Sequence, residues 1–237
     1  MGIELGDGSE LRGQSIIVAT GVTYRLLEAP GIADLTGRGV YYGAARISAS
    51  ALSDEDVYIV GGANSAGQAA VYYLGIARSV TMLVRGSSLS AGMSFYLTER
   101  IEGTSNIHVR YNSAIVAANG NGHLESVEIC DWSTNIQESV PAGALFIFIG
   151  ASPPSGWLTG DVLLDDRGFV LTGPDVIATS AGRWPLERDP FLLETSIPGE
   201  FAAGDVRHGS GKRVATAVGE GAMAVMSVWQ YRALMGL

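Results

Sequence analysis

The stretch from Val57 to Arg85 constrains the chain most. An apolar run, Val57-Tyr58-Ile59-Val60, gives way to a glycine turn, Gly61-Gly62-Ala63-Asn64-Ser65-Ala66-Gly67, then to a helical stretch and a second apolar run, Val80 to Val84. The order reads as strand, phosphate-sized turn, helix and parallel strand. Glycine lets a backbone leave a strand at positive φ and approach a pyrophosphate closely. The helix that follows offers unpaired N–H groups and a positive dipole end, so Gly61, Gly62, Ala63, Asn64, Ser65 and Ala66 are the candidate anion cradle. Ala66, Ala69, Ala70, Tyr73, Leu74 and Ala77 recur at helical spacing, which gives one small-residue face to pack on a sheet.

At the end of the second strand, an NAD site would place Asp or Glu on the ribose 2′-hydroxyl. Here Arg85 offers a cationic fork suited to a 2′-phosphate, so the expected cofactor is NADPH. The turn alone would equally suit an ordinary strand-to-helix junction with a solvated Arg85. It is the succession of strand, turn, helix, strand and arginine that points to a dinucleotide.

A net charge of −9 with no basic patch argues against nucleic acid or an anionic membrane as partner. The one cysteine, Cys130, excludes an internal disulfide framework and fits a reducing compartment. With no signal-like start and no run of membrane-spanning length, the expectation is a cytoplasmic protein; no metal site is expected.

Along the rest of the chain, Ile3 to Leu5 and Glu10 to Arg12 flank an Asp-Gly turn and read as a hairpin. Ser15 to Ala19 reads as a buried strand ending at Thr20-Gly21. Pro30 to Arg38 looks like a polar connector, and Tyr41-Tyr42 leads into a helix expected over Ala44 to Leu52. A helix at Ser94 to Glu102 follows, then strands at Ile107 to Tyr111, Ser113 to Ala117 and Leu124 to Cys130, with a hairpin turn at Asn119 to Gly122. Ala144 to Ile149 is a further buried run, ending at Gly150. Beyond Trp157 the composition suggests loops: a turn at Asp165 to Gly168, a strand Phe169-Val170-Leu171, and an irregular stretch from Gly173 to Arg188. A strand Phe201-Ala202-Ala203 then precedes Gly204-Asp205, and a largely apolar helix runs from about Arg213 to Met235.

With Gly204-Asp205 reached, the order of pieces resembles the thioredoxin reductase family of two-dinucleotide-fold flavoproteins. The likeness runs from Ala19-Thr20-Gly21 through the Gly61 turn and Ile149-Gly150 to Thr195-Ser196-Ile197-Pro198-Gly199 and Phe201 to Asp205. It implies an α/β chain in which a Rossmann-like NAD(P)-binding domain, residues 39–154, is inserted into part of a second, FAD-binding Rossmann-like domain, residues 1–38 and 155–237. By the same resemblance Asp205 would hydrogen-bond a ribityl hydroxyl of FAD, Arg213-Val214-Ala215 would lie against the flavin ring, and Thr20, Gly21, Gly150 and Gly204 would line the cofactors. The redox Cys-x-x-Cys of such reductases falls on Gly43 and Arg46, so two thiols at that spacing are absent. The glycine turn of the FAD fold is not found upstream of Gly61, and the expectation is an amino-terminally incomplete chain that purifies without FAD.

The implied activity is hydride transfer from NADPH to FAD and then to an unidentified acceptor, with no side chain required as general acid or base. Two other readings stay open: a non-enzymatic NADPH-binding or regulatory module, and a ferredoxin- or flavodoxin-type NADP reductase. A homodimer, or a partner supplying the rest of the FAD fold, is the expected assembly. Of the histidines, only His208 is a candidate for function, and on its location near the presumed flavin alone; His108 and His123 are not.

Overall fold

The computed structural model describes residues 1–43, 52–158, 160–180 and 184–236. The chain forms two compact units, one made of Met1–Tyr24 with Ala151–Leu237 and the other of Arg25–Gly150. The first unit opens with β1 (Gly2–Glu4) and β2 (Glu10–Arg12), an antiparallel hairpin with Ile3 opposite Leu11. Asp7 closes its turn by accepting the Ser9 N–H at 2.9 Å. Then come β3 (Ile16–Val18) and β4 (Thr23–Tyr24). Only Val18 of β3 is buried, whereas Ile17 is exposed, so the strand is less enclosed than its apolar run suggests.

Residues 25–38, of which Pro30 to Arg38 reads from sequence as a polar connector, pack in the second unit. Leu27, Ile32 and Leu35 are buried in its core with Val40, Tyr58 and Leu145, and three apolar anchors outweigh the polar composition around them. The chain passes between the units at Tyr24/Arg25 and Gly150/Ala151. Tyr41-Tyr42 belong to a strand, β5 (Val40–Tyr42). Val40 is fully buried and Tyr41 stacks on Phe146 at 5.5 Å, contacts that extended backbone provides. The helix expected over Ala44 to Leu52 falls at residues 44–51, outside the described residues.

Next come β6 (Asp56–Val60), α1 (Asn64–Leu74), β7 (Ser79–Leu83), α2 (Phe95–Glu102) and β8 (Ile107–Arg110). A three-stranded antiparallel sheet follows, of β9 (Ser113–Asn119), β10 (Ser126–Asp131) and β11 (Ile136–Pro141), before the chain returns in β12 (Ala144–Ile147). Strands 5, 12, 6, 7 and 8 form, in that order, one parallel sheet. Because side chains alternate across a strand, Val57 and Ile59 face α1 while Tyr58 and Val60 face the three-stranded sheet. Ala66, Ala69 and Ala70 let α1 sit close, with Tyr73 stacked on Phe146 at 3.9 Å between ring centroids. Strand β11 carries no apolar alternation, since its side chains are almost all exposed; its place comes from backbone pairing with β10.

The first unit then resumes with β13 (Ala151–Ser152), antiparallel to β4. Within the stretch expected to be irregular lies a helix, α3 (Pro174–Ser180), started by Pro174 with Asp175 in its first turn and anchored by the fully buried Val176. Val170 makes isolated bridges to Leu164 and Arg207 in place of the expected strand. Strand β14 (Glu200–Ala202) runs parallel to β3, and α4 (Val214–Met235) ends at Gly236 in the left-handed region. Ala224 and Tyr231 of α4 pack on Phe201 and Leu193, while Val214, Val218, Met226 and Trp229 are exposed. Among the described residues, no helix is long and apolar enough to cross a membrane.

Glu200 is the discordant residue of β14. It is buried, its Oε1 has no hydrogen-bond partner among the described residues, and burial, aided by Asp161, pushes its carboxyl up to about 7. A raised folded value means that the unfolded chain ionises first, so stability falls as pH rises from about 4.5 to about 7 and stays lower above that. Glu200→Gln should therefore stabilise the protein by about 1 to 3 kcal/mol at pH 8 and by little at pH 4.5. Urea denaturation at the two pH values tests this; an equal effect at both removes the argument.

Candidate functional site

In the second unit the chain leaves β6 at Gly61 with φ of +142°. A Cβ there would lie 2.5 Å from the Phe148 carbonyl oxygen and 3.2 Å from the Ala66 methyl. Only glycine fits that approach. A Cβ at Gly62 would come within 2.8 Å of Val84. Ala63 then caps α1 in an extended conformation, with no side chain bonded to the helix end and no acidic residue in the first turn. Ala63, Asn64 and Ser65 are exposed, and Ala66 is buried against the sheet. The Asn64 carboxamide oxygen accepts the Ser94 N–H at 2.8 Å, tying the start of α1 to that of α2. The result is a helix end held in place yet left open to solvent, which fits a pyrophosphate.

Gly61, Arg85 and Gly150 follow β6, β7 and β12, three neighbouring parallel strands, so all three come to the same edge of the sheet. Open α/β sheets take ligands at that carboxyl-terminal edge. Arg85 is exposed, with no ion-pair or hydrogen-bond partner among the described residues. Beside it Ser88 and Ser90 bring their hydroxyls within 3.1 Å of each other. Gly150 has φ of +95° and open space where a Cβ would stand.

In the first unit, Thr20-Gly21 and Gly204-Asp205 follow the paired parallel strands β3 and β14 and again share one edge. Gly204 has φ of +74°, and a Cβ there would meet the Ala217 methyl at 3.3 Å, so the first turns of α4 press on this bend. Its N–H donates to Glu220 of α4 at 2.7 Å, and the other Glu220 oxygen accepts from the Arg207 guanidinium. Burial opposes the Glu220 charge, but Arg207 and the Gly204 N–H prevail and hold its carboxyl below the usual range. The Asp205 carboxylate is half-buried with no hydrogen-bond partner among the described residues, and the buried Arg207 Nε on the same turn is also unpaired. Arg213 caps α4, whose first turn has no acidic residue, and Val214 and Ala215 are exposed.

An open acceptor and an unpaired donor at a strand-end glycine bend fit the ribityl and ring end of a flavin. The Glu220–Arg207 clamp escaped sequence reasoning. Its signal was present: Glu220 is the only charged residue between Arg213 and Arg232 in a helix that is otherwise mostly apolar or small. The two candidate cofactor edges thus rest on separate parallel pairs, each with a glycine that its neighbours enforce.

Residues 2–221 match the family of pyridine nucleotide-disulphide oxidoreductases. The chain belongs to that family. It is 32% identical over 234 residues to a thioredoxin reductase of Peptoclostridium acidaminophilum, an alignment covering 95% of this chain and 67% of that protein. With an alkyl hydroperoxide reductase component of Pseudomonas putida it shares 31% identity over 230 residues, 97% of this chain but 40% of that one. Among solved structures, thioredoxin reductase from Streptococcus pyogenes superposes with a TM-score of 0.72 at 29% identity, covering 98% of this chain and 69% of the other. The Giardia duodenalis thioredoxin reductase gives 0.74 at 26%, covering 96% and 69%. This pyridine nucleotide-disulphide oxidoreductase is thus thioredoxin reductase-like in sequence and fold. Its single cysteine, Cys130, lies buried in β10, so these 237 residues hold no thiol pair.

Proposed function

We propose that the Arg25–Gly150 unit binds NADPH and that the other unit holds the ribityl and ring end of FAD, within an oxidoreductase that passes electrons to an acceptor other than a dithiol of its own. When bound, FAD supplies the ring that takes hydride. The chain's own residues bind and orient: the Gly61 to Ala66 turn receives the pyrophosphate, Arg85 the 2′-phosphate, and Asp205 a ribityl hydroxyl. The observation that carries this reading is the open, uncapped start of α1 at the same sheet edge as an unpartnered Arg85.

NADPH is expected to bind more tightly than NADH, and Arg85→Ala to erase most of the difference, because a guanidinium–phosphate pair contributes on the order of 1.5 to 3 kcal/mol. Calorimetric titration of both nucleotides into parent and variant is the test. Equal affinities in the parent would remove Arg85 from the site. No NADPH-dependent dithiol reduction through a protein disulfide is expected, and alkylating Cys130 should leave electron transfer unchanged. Loss of activity on alkylation, with the fold intact, would contradict this.

A further inference from the structure

Three contacts fasten the loop from Arg207 to Lys212 to the turn from Asp165 to Val170. The His208 N–H donates to the Val170 carbonyl at 2.8 Å, the Lys212 ammonium lies 4.1 Å from the centre of the Phe169 ring, and His208 Nδ1 stands 2.9 Å from Asp165 Oδ2. Asp165 is itself fixed, since its Oδ1 accepts the N–H groups of Arg167 at 2.8 Å and Phe169 at 2.9 Å. Burial opposes its charge, yet the bonds from His208 and the two N–H groups hold its carboxyl below the usual range. An ionised carboxylate only accepts, so Nδ1 is the donor, and in the neutral form of the ring Nε2 is left as an acceptor.

A histidine seated this way has one nitrogen spent on orientation and the other offered outward; the His208 side chain is 44% exposed while that of Asp165 is 17%. The other two histidines lack such a seat: His123 faces Glu125 across 3.9 Å with both side chains exposed, and the His108 side chain has no hydrogen bond or ion pair among the described residues. His208 is three residues beyond Asp205 and five before Arg213. Asp205, whose carboxylate is also without a hydrogen-bond partner among the described residues, is the middle residue of the Gly204–Val206 turn. Two acceptors on one short loop, His208 held by Asp165 and Asp205 left unpartnered among the described residues, suit a ligand that brings hydroxyl or N–H donors.

We propose that His208 is a further binding residue of the flavin site, its Nε2 accepting a hydrogen bond from a ribityl hydroxyl or the ring imide N–H, with Asp165 as its positioning residue. The inference rests on the flavin reading above. It gives the pair, 43 residues apart in sequence, a role that packing alone does not require.

The test is titration of FAD, to about 1 mM, into the full chain, followed by NMR of the Gly204 and Asp205 amides and of the His208 ring. All three should shift along one saturation curve. His208→Asn keeps a donor for Asp165 but has nothing at the Nε2 position, and should weaken binding about tenfold. His208→Gln places an amide at that position and should recover most of the loss. If the amides shift while the His208 ring does not, and His208→Asn binds as the parent does, the proposal fails and the flavin reading stands. If neither amide nor ring shifts, the flavin reading fails and the proposal with it.

Discussion

Gly61→Ala should cost about 3 kcal/mol or more of stability and remove NADPH binding altogether. At φ of +142° the backbone occupies a region that a Cβ makes unfavourable, which contributes on the order of 1 to 3 kcal/mol. The added methyl also has no room, standing 2.5 Å from the Phe148 carbonyl oxygen. That carbonyl cannot give way cheaply, because the Phe148 N–H is bonded to Val60 O at 2.7 Å and Gly61 itself to Leu83 O at 3.0 Å. Overpacking of this kind adds a further 1 to 3 kcal/mol or so. Relief by moving the turn outward would carry the start of α1 away from the sheet edge, and with it the N–H groups offered to the pyrophosphate. Gly62→Ala should be milder, because its 2.8 Å clash is with a Val84 methyl that can turn aside. Urea denaturation and NADPH titration read the two effects separately. A Gly61→Ala protein of parental stability that binds NADPH normally would show that the turn is not built as described.

How much of this was legible follows from what each element rests on. The β6, α1, β7 unit declares itself because its signals are local: an apolar run, glycines, small residues at helical spacing and a second run all fall within 29 residues. The hairpin of β1 and β2 and the helix α4 are legible for the same reason. Strand β11 was not, since it is a polar edge held by backbone bonds that leave no mark on side-chain pattern. Pro30 to Arg38 misled by composition, because Ile32 and Leu35, which commit the connector to the second unit, are scattered among glycine and charge. At the sites, strand-end glycines and Asp205 were visible as motifs, whereas the groups that hold them are distant in sequence. Glu220 is 16 residues from Gly204 and Asp165 is 43 from His208, separations that no local pattern encodes.

Glu220→Ala is expected to be strongly damaging in the first unit. Its carboxylate satisfies two demands together, the Gly204 N–H at the bend and the Arg207 guanidinium, with side chains only 10% and 16% exposed. Removing one partner of such a pair strands the other, which typically costs about 3 to 5 kcal/mol, where removing both costs far less. Arg207 would keep only the bond from its Nη1 to the His208 carbonyl at 2.9 Å, because its Nε is buried without a partner among the described residues. The double variant Glu220→Ala, Arg207→Met should therefore be more stable than Glu220→Ala alone, a non-additivity that an exposed pair would not show. The folded carboxyl lies below its ordinary value of 4.5, so its contribution is complete above that pH and fades as pH falls through the lower folded value. The gap between parent and Glu220→Ala should accordingly be widest near neutrality and narrow in acid. Loss of the clamp also frees the Gly204 bend, so FAD-induced shifts at Asp205 should disappear in the variant at pH 7. Urea denaturation across pH 3 to 8 measures the first effect and NMR the second. A stability change under about 1 kcal/mol at pH 7, or a gap that does not narrow in acid, would mean that Glu220 and Arg207 are not the pair that holds the bend.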